Sequence, residues 1–217
     1  MHRLEADSIL LSINGRSILS DIYLQCDTGS ITGLLGRNGE GKSCLMKVIY
    51  GTLPCEKSVR IDKCVVYGGV KSPYLLHYLP QFYFIPKSLT IKQLFWYFQL
   101  HFDHFQRWFP EYGSAYKKKI GSLSGGGQRL VETYAMIMAE SCFALLDEPF
   151  THLSPLQTEK VKELIVAEKP RKGFLITDHM YRHILEMQNR LYVLKNGKTH
   201  LVSDMHDLET LGYARMK

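Results

Sequence analysis

The sequence predicts an α/β domain with a mainly parallel sheet, an antiparallel β flap at its N-terminal end and a helical insertion inside its core. Three observations predict it. Short apolar strands alternate with segments of helical spacing, a glycine loop joins one buried strand to a helix, and Asn-Gly turns mark hairpins near both ends.

Ser8 to Ile13 and Ile18 to Leu24 read as strands around the Asn14-Gly15 turn, which makes the flap. Ile31 to Leu35 is a compact apolar strand that runs into glycines. From Gly41 to Tyr50, Leu45, Met46, Val48 and Ile49 suit a helix, with Gly51 placed as its stop. Thr90 and Gln93 form a capping box that opens a helix whose Leu94, Phe98, Phe102 and Phe105 recur at helical spacing. With Phe95, Trp96, Tyr97, Trp108 and Phe109 this stretch is unusually aromatic. Most of these rings are expected in the core, and the surplus is expected to form a partner surface.

A further helix fits Gln128 to Ala139, followed by an apolar strand from Cys142 to Leu146. Ser154, Pro155 and Gln157 supply a cap, an N1 proline and an N3 partner for another helix, which runs to about Lys169. Phe174 to Thr177 is a buried strand, and Arg190 to Lys195 joins Lys198 to Val202 through Asn196-Gly197. The chain reads as one unit, 1–217, with the helical insertion at about 83–139.

At 217 residues, with 45% hydrophobic and 22% charged residues, the chain can bury a substantial core, and disordered or collagen-like classes are excluded. Its 5 cysteines are scattered and never spaced C-x-x-C, which argues against a disulfide framework or a zinc site and for a reducing compartment. No stretch has the apolar length that spans a bilayer, so membrane contact is expected to be indirect. The net charge of +6 admits nucleic acid as a partner, but Lys117-Lys118-Lys119 is the one tight basic run and is too short to carry that function.

The chemistry is carried by Gly36-Arg37-Asn38-Gly39-Glu40-Gly41-Lys42-Ser43, which matches G-x-x-x-x-G-K-[ST] and lies between a predicted strand and a predicted helix, the context the mechanism demands. The core is therefore expected to be of the P-loop NTPase kind. Backbone N–H groups and the helix N-terminus would cradle phosphates, Lys42 would reach the β- and γ-phosphates, and Ser43 would ligate Mg2+. Phe143 to Asp147-Glu148 is an apolar strand ending in two carboxylates. Asp147 would hold the metal and Glu148 would polarise the attacking water. Leu123-Ser124-Gly125-Gly126-Gly127 offers a second glycine loop ahead of a helix.

An L-S-G-G motif between a phosphate loop and an L-L-D-E-P strand end resembles the nucleotide-binding domain of ABC ATPases, and the similarity runs in order from about Ile9 to Gly197. The resemblance implies ATP and Mg2+ as cofactors. It implies nucleotide contacts from Gly36, Arg37, Asn38, Gly39, Gly41, Lys42, Ser43 and Cys44, and, across a dimer, from Ser124, Gly125 and Gly126 of the opposite copy. Gln81 matches a glutamine that senses the γ-phosphate and assists at the metal. His179, in I-T-D-H, matches the switch histidine.

Four positions depart from the pattern. Ile13 stands where an adenine-stacking aromatic is usual and is expected to contact the base by apolar packing instead, Glu40 stands where a small residue is usual, Gly127 for the glutamine of the signature, and Ser154 for an aspartate. Lys42, Ser43, Asp147 and Glu148 all remain, so hydrolysis is expected. The resemblance further implies a homodimer or heterodimer with another ATPase subunit, driving separate transmembrane permease subunits from the cytoplasmic face. The alternative is an ABC ATPase acting on nucleic acid or ribosomes. Such relatives carry long coiled coils or two nucleotide domains, and this sequence has neither, so no direct nucleic-acid contact is expected. Thr177-Asp178-His179 with Arg182 also resembles the T-D-H-x-x-R pattern of lipopolysaccharide-export ATPases.

Overall fold

The computed structural model describes residues 1–66 and 73–212, so the remainder of the expected 1–217 span lies outside the described residues. In chain order the elements are β1 (Arg3–Ile13), β2 (Arg16–Leu19), β3 (Tyr23–Asp27), β4 (Ile31–Leu35), α1 (Lys42–Tyr50), β5 (Glu56–Ile61), β6 (Cys64–Val65) and β7 (Leu76–Leu79). They continue with α2 (Ile91–Tyr97), α3 (Phe102–Trp108), α4 (Gly125–Met138), β8 (Phe143–Asp147), α5 (Pro155–Glu168), β9 (Gly173–Thr177), α6 (Tyr181–Met187), β10 (Arg190–Lys195), β11 (Lys198–Val202) and α7 (Met205–Thr210). Two 3-10 turns, Pro110–Ala115 and Ile120–Ser122, lie between α3 and α4.

One sheet has the order β11-β10-β4-β9-β8-β7 and is parallel except for β11, as the alternation of strands and helices predicts. Strands β4, β8 and β9 are buried along their whole length because helices cover both faces. Their side chains divide by parity. Leu34, Phe143, Leu145 and Leu175 join α1 and the flap in one core cluster, whereas Ile31, Leu35, Ala144, Leu146, Phe174 and Ile176 join α4, α5 and α6 in the other.

The flap is the predicted antiparallel sheet, with strand order β2-β1-β5-β6 and β3 also paired to β1. The expected strand from Ile18 to Leu24 is two strands instead. Arg16–Leu19 pairs with the end of β1, and Tyr23–Asp27 pairs with its beginning. Between them the amides of Ser20 and Asp21 donate to the Gly197 carbonyl of the β10–β11 turn, so a long-range contact diverts the chain.

The helix expected through Leu94 and Phe105 is also broken, into α2 and α3. Gln99, at φ 55, closes α2: its own amide bonds to Trp96 and that of Leu100 bonds to Phe95, a Schellman ending on a residue other than glycine. The aromatics divide as expected. Phe95, Phe105 and Phe109 are buried around Tyr134 of α4, with Phe105 and Tyr134 ring centroids 4.8 Å apart. Trp96 and Tyr97, by contrast, are 81% and 73% exposed.

Candidate functional site

Strand β4 delivers the chain into the Gly36–Gly41 loop, and α1 begins at Lys42. Gly39 and Gly41 have φ of 87 and 100, a left-handed backbone that a side chain resists. A Cβ at Gly41 would also lie 2.9 Å from Ile18 Cγ2, so the loop closes tightly on β2. Lys42 Nζ turns back and donates to the carbonyls of Gly36 at 2.7 Å and Arg37 at 3.2 Å. Burial pushes the ammonium's pKa down, and the attraction of Glu148, Asp147, Glu40 and Asp178 opposes that.

An open cleft of about 560 Å³ brings together Asn38, Gly39, Gly41, Lys42, Ser43, Cys44, Gln81, Glu148 and His179, residues drawn from four separate stretches of sequence. Arg37 and Glu40 turn away from it. The Arg37 guanidinium donates to the Gly212 carbonyl, and Glu40 accepts the Asn196 amide at 2.7 Å. The Glu40 carboxylate is thereby tied to the β10–β11 turn. Ile13 sits half-exposed where β1 turns into β2, while Ile18 of β2 lines the cleft.

Glu148 follows β8 at φ 53, a strained conformation for a non-glycine residue. Its amide donates to the Thr177 carbonyl at 2.8 Å. Its Oε2 accepts from Gln81 Nε2 at 2.9 Å and from Thr151 Oγ1 at 3.3 Å, and lies 3.7 Å from His179 Nδ1. His179 is in turn 3.4 Å from Oδ1 of Asp178, a buried carboxylate that accepts the amides of Met180 and Phe150. Sequence reasoning did not single out Asp178 as a site residue, although it stands directly before the histidine.

Asp147 is buried, and burial raises its pKa against the pull of the Ser43 and Tyr78 hydroxyls. Its Oδ2 accepts from Tyr78 at 3.3 Å, and its Oδ1 has no hydrogen-bond partner among the described residues. An orphaned carboxylate oxygen near a serine hydroxyl fits a hard divalent cation that takes its other ligands from phosphate and water. No cluster of three or more His, Cys, Asp or Glu suited to a metal exists among the described residues.

The second glycine segment is helical rather than a loop. Helix α4 begins at Gly125, three residues earlier than expected, because the Ser124 hydroxyl accepts the Gly127 amide at 3.1 Å and caps it. A Cβ at Gly126 would lie 2.4 Å from the His152 carbonyl, and one at Gly127 would lie 3.0 Å from Tyr112 Oη. At Gly126 the backbone leaves no room for a side chain, whereas at Gly127, which stands in place of the expected glutamine, Tyr112 and Ser124 would have to give by a few tenths of an ångström. Ser124, Gly125 and Gly126 do not line the cleft that holds Lys42. Ser154 makes the predicted capping box with Gln157 at the start of α5.

Arg129 was also missed. It is wholly buried in α4, and its guanidinium donates to the carbonyls of Pro80, Asp147 and Glu148. The signal was an arginine and a glutamate at i,i+3 within a mostly apolar helical stretch.

A sequence model of the family described as ABC transporter matches residues 19–151. The lipopolysaccharide export system ATP-binding protein LptB of Haemophilus influenzae is 30% identical over 91% of this chain and 89% of its own length. The ABC transporter ATP-binding protein YtrB of Bacillus subtilis is 26% identical over 95% of this chain and 73% of its own. Among solved structures, an ATP-binding subunit of an ABC transporter superposes with a TM-score of 0.80 at 20% identity, covering 97% of this chain and 95% of that one. A bacterial Atm1-family ABC exporter with ATP bound gives 0.82 at 16% identity over 96% of this chain and 40% of the exporter.

Proposed function

The chain belongs to the ABC transporter family, and on that premise we propose that it is the ATP-binding and ATP-hydrolysing subunit that powers transport through separate membrane-spanning partners. The observation that carries the hydrolytic reading is the convergence of Lys42, Ser43, Gln81, Glu148 and His179 on one cleft. In this reading Lys42 releases the Gly36 and Arg37 carbonyls and turns to the β- and γ-phosphates, aided by the amides at the start of α1. Glu148 accepts the proton of the attacking water. His179, steadied by Asp178, meets the γ-phosphate.

Mg2+, held by Ser43, Asp147 and Gln81, would supply positive charge to the phosphates. Residues Ser124, Gly125 and Gly126, away from the Lys42 cleft, suit contact with the nucleotide of a second copy, so the working form is a dimer around ATP.

Exposed Trp96, Tyr97 and Phe82, the last 61% exposed, support docking to a membrane-spanning subunit. Beside them an apolar groove is lined by Phe84, Ile85, Leu89, Leu94, Trp96 and Phe98. None of the described helices is long and apolar enough to cross a membrane, and in this reading the chain is a peripheral subunit held on the cytoplasmic face by its membrane-spanning partners. The likeness to LptB, with Thr177-Asp178-His179 and Arg182, supports a place near the lipopolysaccharide-export ATPases.

The test is Glu148→Gln, which keeps the shape of the side chain and removes the base. Turnover should fall by roughly 10²–10⁴-fold, and light scattering should show a dimer with ATP that is absent with ADP. Full turnover in this variant would refute Glu148 as the base, and an inactive variant that stays monomeric with ATP would refute the sandwich.

A further inference from the structure

Arg129 and Glu132 lie one turn apart on α4, and neither lines the nucleotide cleft. Both are closed to solvent, at 1% and 0% exposure, with Arg129 Nη1 3.8 Å from Glu132 Oε2. Burying two charges is costly, and an apolar pair of similar volume is often as stable, so the fold alone does not call for them. Their hydrogen bonds point to another use.

Nη1 of Arg129 donates to the Pro80 carbonyl at 2.7 Å. Nη2 donates to the carbonyls of Asp147 at 2.6 Å and Glu148 at 2.8 Å. One guanidinium therefore grips the peptide that leads into Gln81 and the backbone of Glu148, the two residues whose side chains meet at 2.9 Å. Glu132 extends the grip, because its Oε1 accepts the amides of Phe84 and Ile85, both at 3.1 Å. Residues 80 to 85 are thus fastened to α4 at both ends. Glu148 keeps its left-handed backbone only while its surroundings enforce it, and the Arg129 bond to its carbonyl is one of those restraints. A planar guanidinium reaches the three carbonyls from two separate nitrogens held in a fixed fork, whereas a lysine ammonium donates from a single point.

We propose that Arg129, held by Glu132, is a positioning residue for hydrolysis, which fixes the Gln81 segment and Glu148 in register by clamping both backbones to the helix that opens at Ser124. The proposal rests on the reading of Glu148 as the base, and that reading is tested separately by Glu148→Gln alone.

Arg129→Lys in the full chain keeps the charge and loses the fork. Steady-state turnover with Mg-ATP, measured well below the variant's melting temperature, should fall about 10- to 100-fold, since small misplacements of a catalytic group cost that much. KM for ATP should stay within about threefold, as expected when only transition-state interactions are lost. The decisive arm is the double variant. In a Glu148→Gln background, Arg129→Lys should lower residual turnover by clearly less than it does in wild type, because the part of its effect that acts through Glu148 is silent once the base is gone and only the part through the Gln81 segment remains. Three results would overturn the proposal: unchanged turnover in Arg129→Lys, a KM that rises in step with the loss, or the same fold-loss with and without Glu148. Should Arg129→Lys fail to fold, Arg129→Gln, whose amide donates to fewer carbonyls, is read by the same criteria.

Discussion

Lys42 Nζ donates a 2.7 Å hydrogen bond to the carbonyl oxygen of Gly36, so the phosphate loop is closed by its own lysine. A triphosphate has to draw the ammonium off two carbonyls, and it succeeds because a charged acceptor forms stronger hydrogen bonds than a neutral one. Lys42→Ala should therefore weaken ATP binding by about 10- to 100-fold, equivalent to one lost charge-assisted hydrogen bond of roughly 1.5–3 kcal/mol. Calorimetric titration with magnesium present measures it, and undiminished affinity would count against the phosphate-loop assignment.

The exposed aromatics are separable from the buried ones, which makes the docking surface testable without damage to the core. Trp96→Glu and Tyr97→Glu should leave ATP affinity and melting temperature within error while removing co-purification with the membrane-spanning partner. A fully retained complex in both variants would show that the groove is not the docking site.

Phe105 is the hub of the buried aromatic cluster, with ring centroids 5.4 Å from Phe95, 5.2 Å from Phe109 and 4.8 Å from Tyr134. Phe105→Ala leaves a cavity that helices α2, α3 and α4 cannot all close. Denaturant unfolding should register a loss of about 3–5 kcal/mol. A loss below about 1 kcal/mol would mean that the cluster does not hold the insertion to α4.

His77 titrates in a way that couples stability to acid. Burial, reinforced by the positive charge of Lys172, lowers its pKa from 6.5 to about 4. The folded state thus favours the neutral ring, and between pH 4 and 6.5 the unfolded chain binds more protons. The contribution is fully present above about pH 6.5 and is lost as the pH falls towards 4; the full shift corresponds to about 3 kcal/mol, an upper bound because the ring is partly open to solvent. His77→Gln should flatten the acid limb of the melting-temperature profile over that window relative to wild type. Parallel limbs would rule out His77 as the titrating group.

Much of the fold was legible because its signals are local. Asn14-Gly15 and Asn196-Gly197 both turn hairpins, Gly51 ends α1, and the capping boxes at Thr90 and Ser154 open α2 and α5. The same holds for the phosphate loop, whose glycines and lysine are consecutive, and for Asp147 and Glu148 at the end of an apolar strand. In each case neighbouring residues dictate the backbone through sterics, a side-chain cap or a missing Cβ, and no distant partner is needed.

What only the tertiary structure decided depends on groups far apart in the chain. Gly197 splits the strand expected at Ile18 to Leu24 by taking the amides of Ser20 and Asp21. Asn196 draws Glu40 away from the cleft, so a carboxylate inside the phosphate loop faces the β10–β11 turn. Periodicity through Leu94, Phe98, Phe102 and Phe105 suggested one helix, but rings from both α2 and α3 pack on Tyr134, and the chain bends at Gln99 to bring them there. Arg129 reads in the sequence as one charged residue in a helix. Its role emerges only when the parallel sheet brings the ends of β7 and β8 side by side, so that the carbonyls of residues 80, 147 and 148 converge on one guanidinium. Local sterics and capping set the elements and the chemical identity of the site, whereas hydrogen bonds across the fold set which of those groups face one another.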